Sequence, residues 1–93
     1  MARHKNIIGP QIRKIRCRRG LTQKALAAKL QLAGWWIDRA GVSKIELRLV
    51  RVNDYRQLYL ARVLGVELAD LFPAIDPKMP LDDEMNHLMR KQR

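Results

Sequence analysis

The sequence predicts a small all-α protein, in which five short helices form one bundle and a sixth helix follows a linker. Three observations support this fold class. Apolar residues recur at spacings of three and four, the period of one helix face, and not at the spacing of two that strands require. Residues that cap helices, and glycines that end them, divide the chain into short segments. A length of 93 residues fits a single domain.

The first two helices are predicted from their end signals. Pro10 suits the first turn of a helix and Gly20 can adopt the left-handed conformation that ends one, which predicts a helix over residues 10–19. Thr22 is a good N-cap, so a second helix is expected from there through residue 30. The apolar sides of these two helices are formed by Ile8, Ile12, Ile15, Leu26, Ala27 and Leu30.

The next three helices follow from the same kinds of signal. Asp38 is the predicted N-cap of a third helix over residues 39–47, with Val42 and Ile45 as its core positions. Asn53 caps a fourth helix over residues 54–64, and a short fifth helix spans residues 68–72. The expected buried stripe of the fourth helix consists of Tyr55, Leu58, Ala61 and Leu64.

The composition changes after residue 73. Residues 74–80 contain two prolines and are interpreted as a linker, so the chain divides into a domain over residues 8–73 and an extension over residues 74–93. Residues 82–92 are predicted to be helical, with acidic residues at the start and basic residues at the end, as the helix dipole favours. Their apolar stripe is expected to pack on the domain or on a second subunit; it consists of Leu81, Met85, Leu88 and Met89.

The charge distribution points to a polyanionic partner. The formal net charge is +10, and it is uneven, since residues 1–62 carry 15 basic and 3 acidic side chains. Residues 63–93 carry 4 basic and 6 acidic side chains. A basic N-terminal part and a slightly acidic C-terminal part are typical of a protein that binds nucleic acid through one face.

Several other classes are disfavoured by the sequence. Cys17 is the single cysteine, which excludes an intramolecular disulfide, and it is expected to lie in the core or at its boundary. His4 and His87 have no partner at ligand spacing, so neither a metal nor a cofactor is predicted. No apolar run is long enough to span a bilayer and no signal peptide is evident, which predicts a cytoplasmic protein. An enzyme is not expected, because Ser43 has no histidine near it in sequence.

Several short motifs resemble, in their order and spacing, the Cro/cI-type (XRE-like) helix-turn-helix family, to which the lambda-like phage repressors belong. The motifs are Ile12-Arg13-Lys14-Ile15-Arg16, Gly20-Leu21-Thr22-Gln23, Val42-Ser43-Lys44-Ile45-Glu46, Leu64-Gly65-Val66 and Leu71-Phe72. The resemblance implies a five-helix lambda-repressor-like DNA-binding domain. In that family the second helix crosses the DNA backbone and the third lies in the major groove.

The resemblance also implies roles for individual residues. Gln23 falls where the family places a glutamine that contacts phosphate and braces the recognition helix. The outward face of the third helix carries Arg39, Ala40, Ser43 and Lys44. Arg39 is the strongest candidate for reading sequence, because a guanidinium can pair with two acceptors of guanine. Lys44, Arg48 and Arg51 suit phosphates, and Arg16 with Glu46 matches a buried ion pair of the family.

One segment departs from the family pattern. Eight residues separate Leu30 from Arg39, against three or four in an ordinary helix-turn-helix turn, so a long loop over residues 31–37 is predicted. A third helix placed near residues 32–39 is the alternative, but Gly34 and two tryptophans would interrupt it. Of the pair Trp35 and Trp36, one is expected to cover the core, and the other is free to meet DNA or a partner.

The implied function is sequence-specific binding of double-stranded DNA by a transcriptional regulator, which we expect to be a repressor that acts as a homodimer on a two-fold operator. The alternative is an antitoxin-like module that grips a partner polypeptide through residues 74–93. Membrane binding by the basic first helix is disfavoured, since the core needs the apolar face of that helix.

Overall fold

A computed structural model describes residues 4–74 and 77–78 of the chain. Within them lie four α-helices and one short 3-10 helix, and no strand. Their bounds are α1 Gly9–Arg18, α2 Gln23–Ala33, α3 Arg39–Glu46, α4 Asp54–Leu64 and the 3-10 helix Leu68–Leu71. The predicted all-α, five-helix bundle is confirmed. The helix predicted over residues 82–92 and its apolar stripe lie outside the described residues.

The core is made of aliphatic side chains that every one of these helices contributes. Its fully buried centre includes Ile12 of α1, Leu26 and Leu30 of α2, Val42 of α3 and Leu71 of the 3-10 helix. Burying one such side chain contributes about 1.5–3 kcal/mol. Because α1 and α2 both pack against α3, the core fixes where this short helix sits.

The second helix is longer than predicted and the loop after it is shorter. α2 continues to Ala33 and ends at Gly34, whose φ of 114° is left-handed. Residues 34–38 alone separate α2 from α3, so the prediction of a loop over residues 31–37 is wrong. Beyond Leu30 the end of α2 is mostly exposed, with Leu32 89% exposed. Residues 31–33 add no fully buried side chain to the helix, so its apolar pattern does not mark this extension.

The buried side of α4 also differs from the prediction. Leu60 is buried together with Ala61 and Leu64, whereas Tyr55 and Leu58 are more than half exposed. Both sets of residues have helical spacing and share two positions, so periodicity alone does not distinguish them. Cys17, expected at the core or its boundary, is exposed on α1.

Candidate nucleic-acid interface

The start of α3 is defined by a side-chain cap. Asp38 Oδ1 accepts a hydrogen bond from the backbone N–H of Gly41 at 2.8 Å, as an N-cap requires. Inside, Val42 and Ile45 are buried as predicted. The opposite side carries exposed Arg39, Ala40 and Lys44, with Ser43 half-buried. The four residues that the sequence assigned to the outer face of this helix therefore do share an accessible side.

The turn that leads into α3 is held from two directions. Gln31 Nε2 of α2 donates to the carbonyl oxygen of Ile37 at 2.6 Å. The Ile37 side chain lies over Gly41, where an added Cβ would come within 2.6 Å of Ile37 Cγ1. The glycine, which lowers helix propensity by about 1 kcal/mol relative to alanine, is thus explained by close packing.

Trp35 covers the bundle beside this turn. Its ring lies 6.2 Å from that of Tyr59 on α4, and the Arg56 guanidinium sits 5.3 Å from the indole centroid. The sequence predicts that one tryptophan covers the core between the second and third helices; Trp35 does pack against the core cluster, but its ring contacts lie on α4. Trp36, in contrast, is 87% exposed.

A buried ion pair ties α1 to the end of α3. Arg16 Nε donates to Glu46 Oε2 at 2.6 Å and Arg16 Nη2 to Glu46 Oε1 at 3.1 Å. A third bond runs from Arg16 Nη1 to the Leu21 carbonyl oxygen at 2.8 Å. The hydrogen bonds to Glu46 raise the pKa of the Arg16 guanidinium above its ordinary value. The predicted structural pair is present.

Gln23 joins this pair from the start of α2. Its Nε2 donates to Glu46 Oε1 at 3.0 Å, so the carboxylate links α1, α2 and α3. This is the bracing contact that the resemblance implied. The Gln23 side chain is half-buried. Lys24, an exposed cation in the same first turn of α2, is a residue that the motif did not single out. The turn's remaining backbone N–H groups form the positive end of the helix dipole.

Arg48 does not belong to the exposed basic surface, contrary to the prediction that it contacts phosphate. It is 3% exposed and has a left-handed φ of 62°. Burial lowers the pKa of its guanidinium. Because its backbone is left-handed, Arg48 turns its side chain toward the bundle, near the backbone of Gly9. Arg51, three residues later, is exposed as predicted.

Asn6 is a positioning residue that the sequence analysis missed. Its Nδ2 donates to the carbonyl oxygens of Ile45 at 3.2 Å and Val50 at 2.8 Å, and its Oδ1 accepts from Gly9 N–H at 2.9 Å. One side chain thereby joins the start of α1 to both sides of the turn that follows α3. An asparagine three residues before a helical N–H is the available signal, because that is the spacing of a cap.

Among residues 4–74 and 77–78, no cluster of His, Cys, Asp or Glu could hold a metal ion. No helix in that part of the chain is long and apolar enough to cross a membrane.

Comparison with known proteins agrees with this geometry. A helix-turn-helix family model matches residues 12–71, which include α2, the turn and α3. No curated protein and no solved structure gave a match. The matched region covers more than half of the chain and contains the ion pair, Gln23 and the outer face of α3. The chain belongs to the helix-turn-helix family of DNA-binding transcription regulators.

Proposed function

We propose that this protein is a sequence-specific repressor that inserts α3 into the major groove of double-stranded DNA. The observation that supports the proposal is the exposed outer side of α3, a helix that begins with Arg39 and has side-chain hydrogen bonds at both ends. A helix fits the major groove, whose edges distinguish all four base pairs. The excess of basic residues in the first 62 positions supplies the attraction to phosphate.

Some of the exposed residues are assigned to contacts with base edges, and others to phosphate contacts that position the protein on the duplex. Arg39 reads a guanine through its O6 and N7 acceptors, and Ala40 offers apolar contact to a thymine methyl group. Ser43 adds an adaptable hydroxyl. Lys44 and Arg51 contact phosphates, and Gln23 does so from the start of α2, where helix N–H groups favour an anion. Arg48 is left out of this surface because its side chain is buried.

Arg39→Ala is expected to remove base preference at one position of the bound site. The loss there is about 1–3 kcal/mol, the value of a bidentate pair with guanine. Affinities for a site selected from random duplexes and for its single-base variants measure this. Arg39→Lys is the matched control, because it keeps the charge and loses the planar fork. If Arg39→Ala weakens every sequence equally, Arg39 contacts phosphate instead.

Lys44→Ala is expected to weaken binding to all sequences by a similar factor. The slope of log affinity against log salt concentration should fall by about one, because one phosphate contact is lost. Arg62→Ala, which removes an exposed cation from the last turn of α4, serves as the control and should leave the slope unchanged. An unchanged slope for Lys44→Ala rejects the phosphate role.

The proposed active form is a homodimer on a two-fold operator, with one α3 for each half-site. The support for it is the family resemblance, together with the apolar residues Leu81, Met85, Leu88 and Met89 in the sequence. Sedimentation equilibrium at micromolar concentration should give twice the mass of the chain. A monomer, or a stoichiometric second polypeptide bound in its place, contradicts the homodimer.

A further inference from the structure

We infer that Trp36 is an additional DNA-contacting residue, which lays its indole against the deoxyribose edge of the strand that borders the groove entered by α3. This inference rests on the proposed function. Trp36 is 87% exposed, although an indole is among the largest apolar surfaces that a side chain can bury. Exposed tryptophans are enriched among the residues that dominate binding interfaces.

The turn presents this indole to solvent from an anchored backbone. The residue before it, Trp35, packs on α4, and the residue after it, Ile37, packs on Gly41 and accepts a hydrogen bond from Gln31. Trp36 is 87% exposed, so its side chain is directed away from the bundle. Its backbone is anchored on both sides, which reduces the conformational entropy that the backbone loses on binding.

Trp36 lies within reach of a duplex that binds α3. Three Cα–Cα steps join it to Arg39, which limits their separation to about 11 Å. The major groove is about 12 Å wide, so a residue within that distance of a side chain in the groove can reach a bordering strand. A deoxyribose offers apolar C–H groups to the ring face, and the indole N–H can donate to a phosphate oxygen.

The surroundings favour a polyanion over an apolar protein partner. Arg39 follows on the same turn, Arg56 lies on the neighbouring tryptophan, and Lys29 is exposed on the preceding helix. Asp38 is the one acidic residue between Trp36 and Arg39, and its carboxylate is used in capping α3. Leu32 is similarly exposed on the last turn of α2 but lies farther along the chain from Arg39.

Mutation provides the first test. Trp36→Ala should weaken binding to a selected duplex by about tenfold, the size typical of an aromatic contact at an interface. Leu32→Ala is the matched control, since it removes an apolar side chain of similar exposure, and it should bind as the wild type does. Equal affinity of wild type and Trp36→Ala overturns the inference, and so does equal weakening by both variants.

Fluorescence provides a second test that does not depend on affinity. The chain has two tryptophans, so Trp35→Phe leaves Trp36 as the single reporter and Trp36→Phe leaves Trp35. Adding duplex DNA should lower acrylamide quenching of Trp36 about twofold or more and leave that of Trp35 nearly unchanged, since Trp35 already packs against the core cluster. Acrylamide is neutral, so the basic surface does not bias its access.

The two tests separate failure of this inference from failure of the proposed function. If a mobility shift shows no DNA binding by the wild type, the proposed function fails and the inference fails with it. If DNA binds while quenching of Trp36 stays unchanged, only the inference is wrong. Protection of Trp36 that develops with protein concentration in the absence of DNA also overturns it, because the indole then lies in a contact between copies.

Discussion

Glu46→Ala is expected to lower the free energy of unfolding by about 3–5 kcal/mol, because it strands a buried charge. The change leaves the Arg16 guanidinium buried without its carboxylate and also removes the acceptor of Gln23 Nε2. A small domain has a total stability of about 5–15 kcal/mol, so a large part of it would be lost. Urea unfolding followed by far-ultraviolet circular dichroism measures the difference.

The double variant Arg16→Met with Glu46→Leu is the control for that loss. Replacing both partners by apolar residues of similar size avoids a stranded charge, so the double variant should be more stable than Glu46→Ala. A loss below about 1 kcal/mol for Glu46→Ala would mean that the pair is effectively solvated, as exposed pairs are. In that case Glu46 would not be the residue that holds α3 against α1 and α2.

Gly9→Ala is the second large effect, with an expected loss of about 3 kcal/mol. An added Cβ would lie 2.3 Å from the Ile45 carbonyl oxygen and 2.8 Å from that of Glu46. Both neighbours are backbone atoms at the end of α3, so the clash is relieved only by moving one helix from the other. The gain in helix propensity, about 1 kcal/mol, is smaller than this cost. Thermal and urea unfolding of the variant test the prediction.

Gly20→Ala provides the comparison for Gly9→Ala. Gly20 has a left-handed φ of 70°, and nothing lies within 4 Å of an added Cβ. Gly20→Ala should therefore lower the free energy of unfolding only by the backbone strain, about 1–2 kcal/mol. Gly9→Ala should also weaken DNA binding, because it moves α1 away from the helix that carries Arg39, whereas Gly20→Ala should not. A Gly9→Ala protein as stable as the wild type refutes the proposed close packing of α1 on α3.

Much of this arrangement was predictable because capping is a local property. Thr22, Asp38 and Asn53 each accept a hydrogen bond from the N–H three residues later, so these residues alone predict where α2, α3 and α4 begin. The inward positions Val42 and Ile45 follow from helical spacing once the start of α3 is known. The ion pair of Arg16 with Glu46 came from the family resemblance, since no local rule joins residues 30 apart.

The errors arose where tertiary structure decides between options that are locally equivalent. Arg48 looks like other arginines in sequence, and only its left-handed backbone turns it into the bundle. Residues 31–33 at the end of α2 add no fully buried side chain, so the apolar pattern of the helix does not extend to them. Leu58 and Leu60 both fit the spacing of α4, and the packing of the neighbouring helices selects Leu60.

We propose that Arg39, at the start of α3, reads a guanine in the major groove. Replacing that guanine in a selected duplex by 7-deazaguanine removes the N7 acceptor and leaves Watson–Crick pairing intact. The wild type should then bind more weakly by about 1 kcal/mol, because one of the two acceptors of the bidentate pair is lost, while Arg39→Ala should bind both duplexes equally. Equal binding of the two duplexes by the wild type at every guanine of the site, or an equal loss for Arg39→Ala, contradicts the claim.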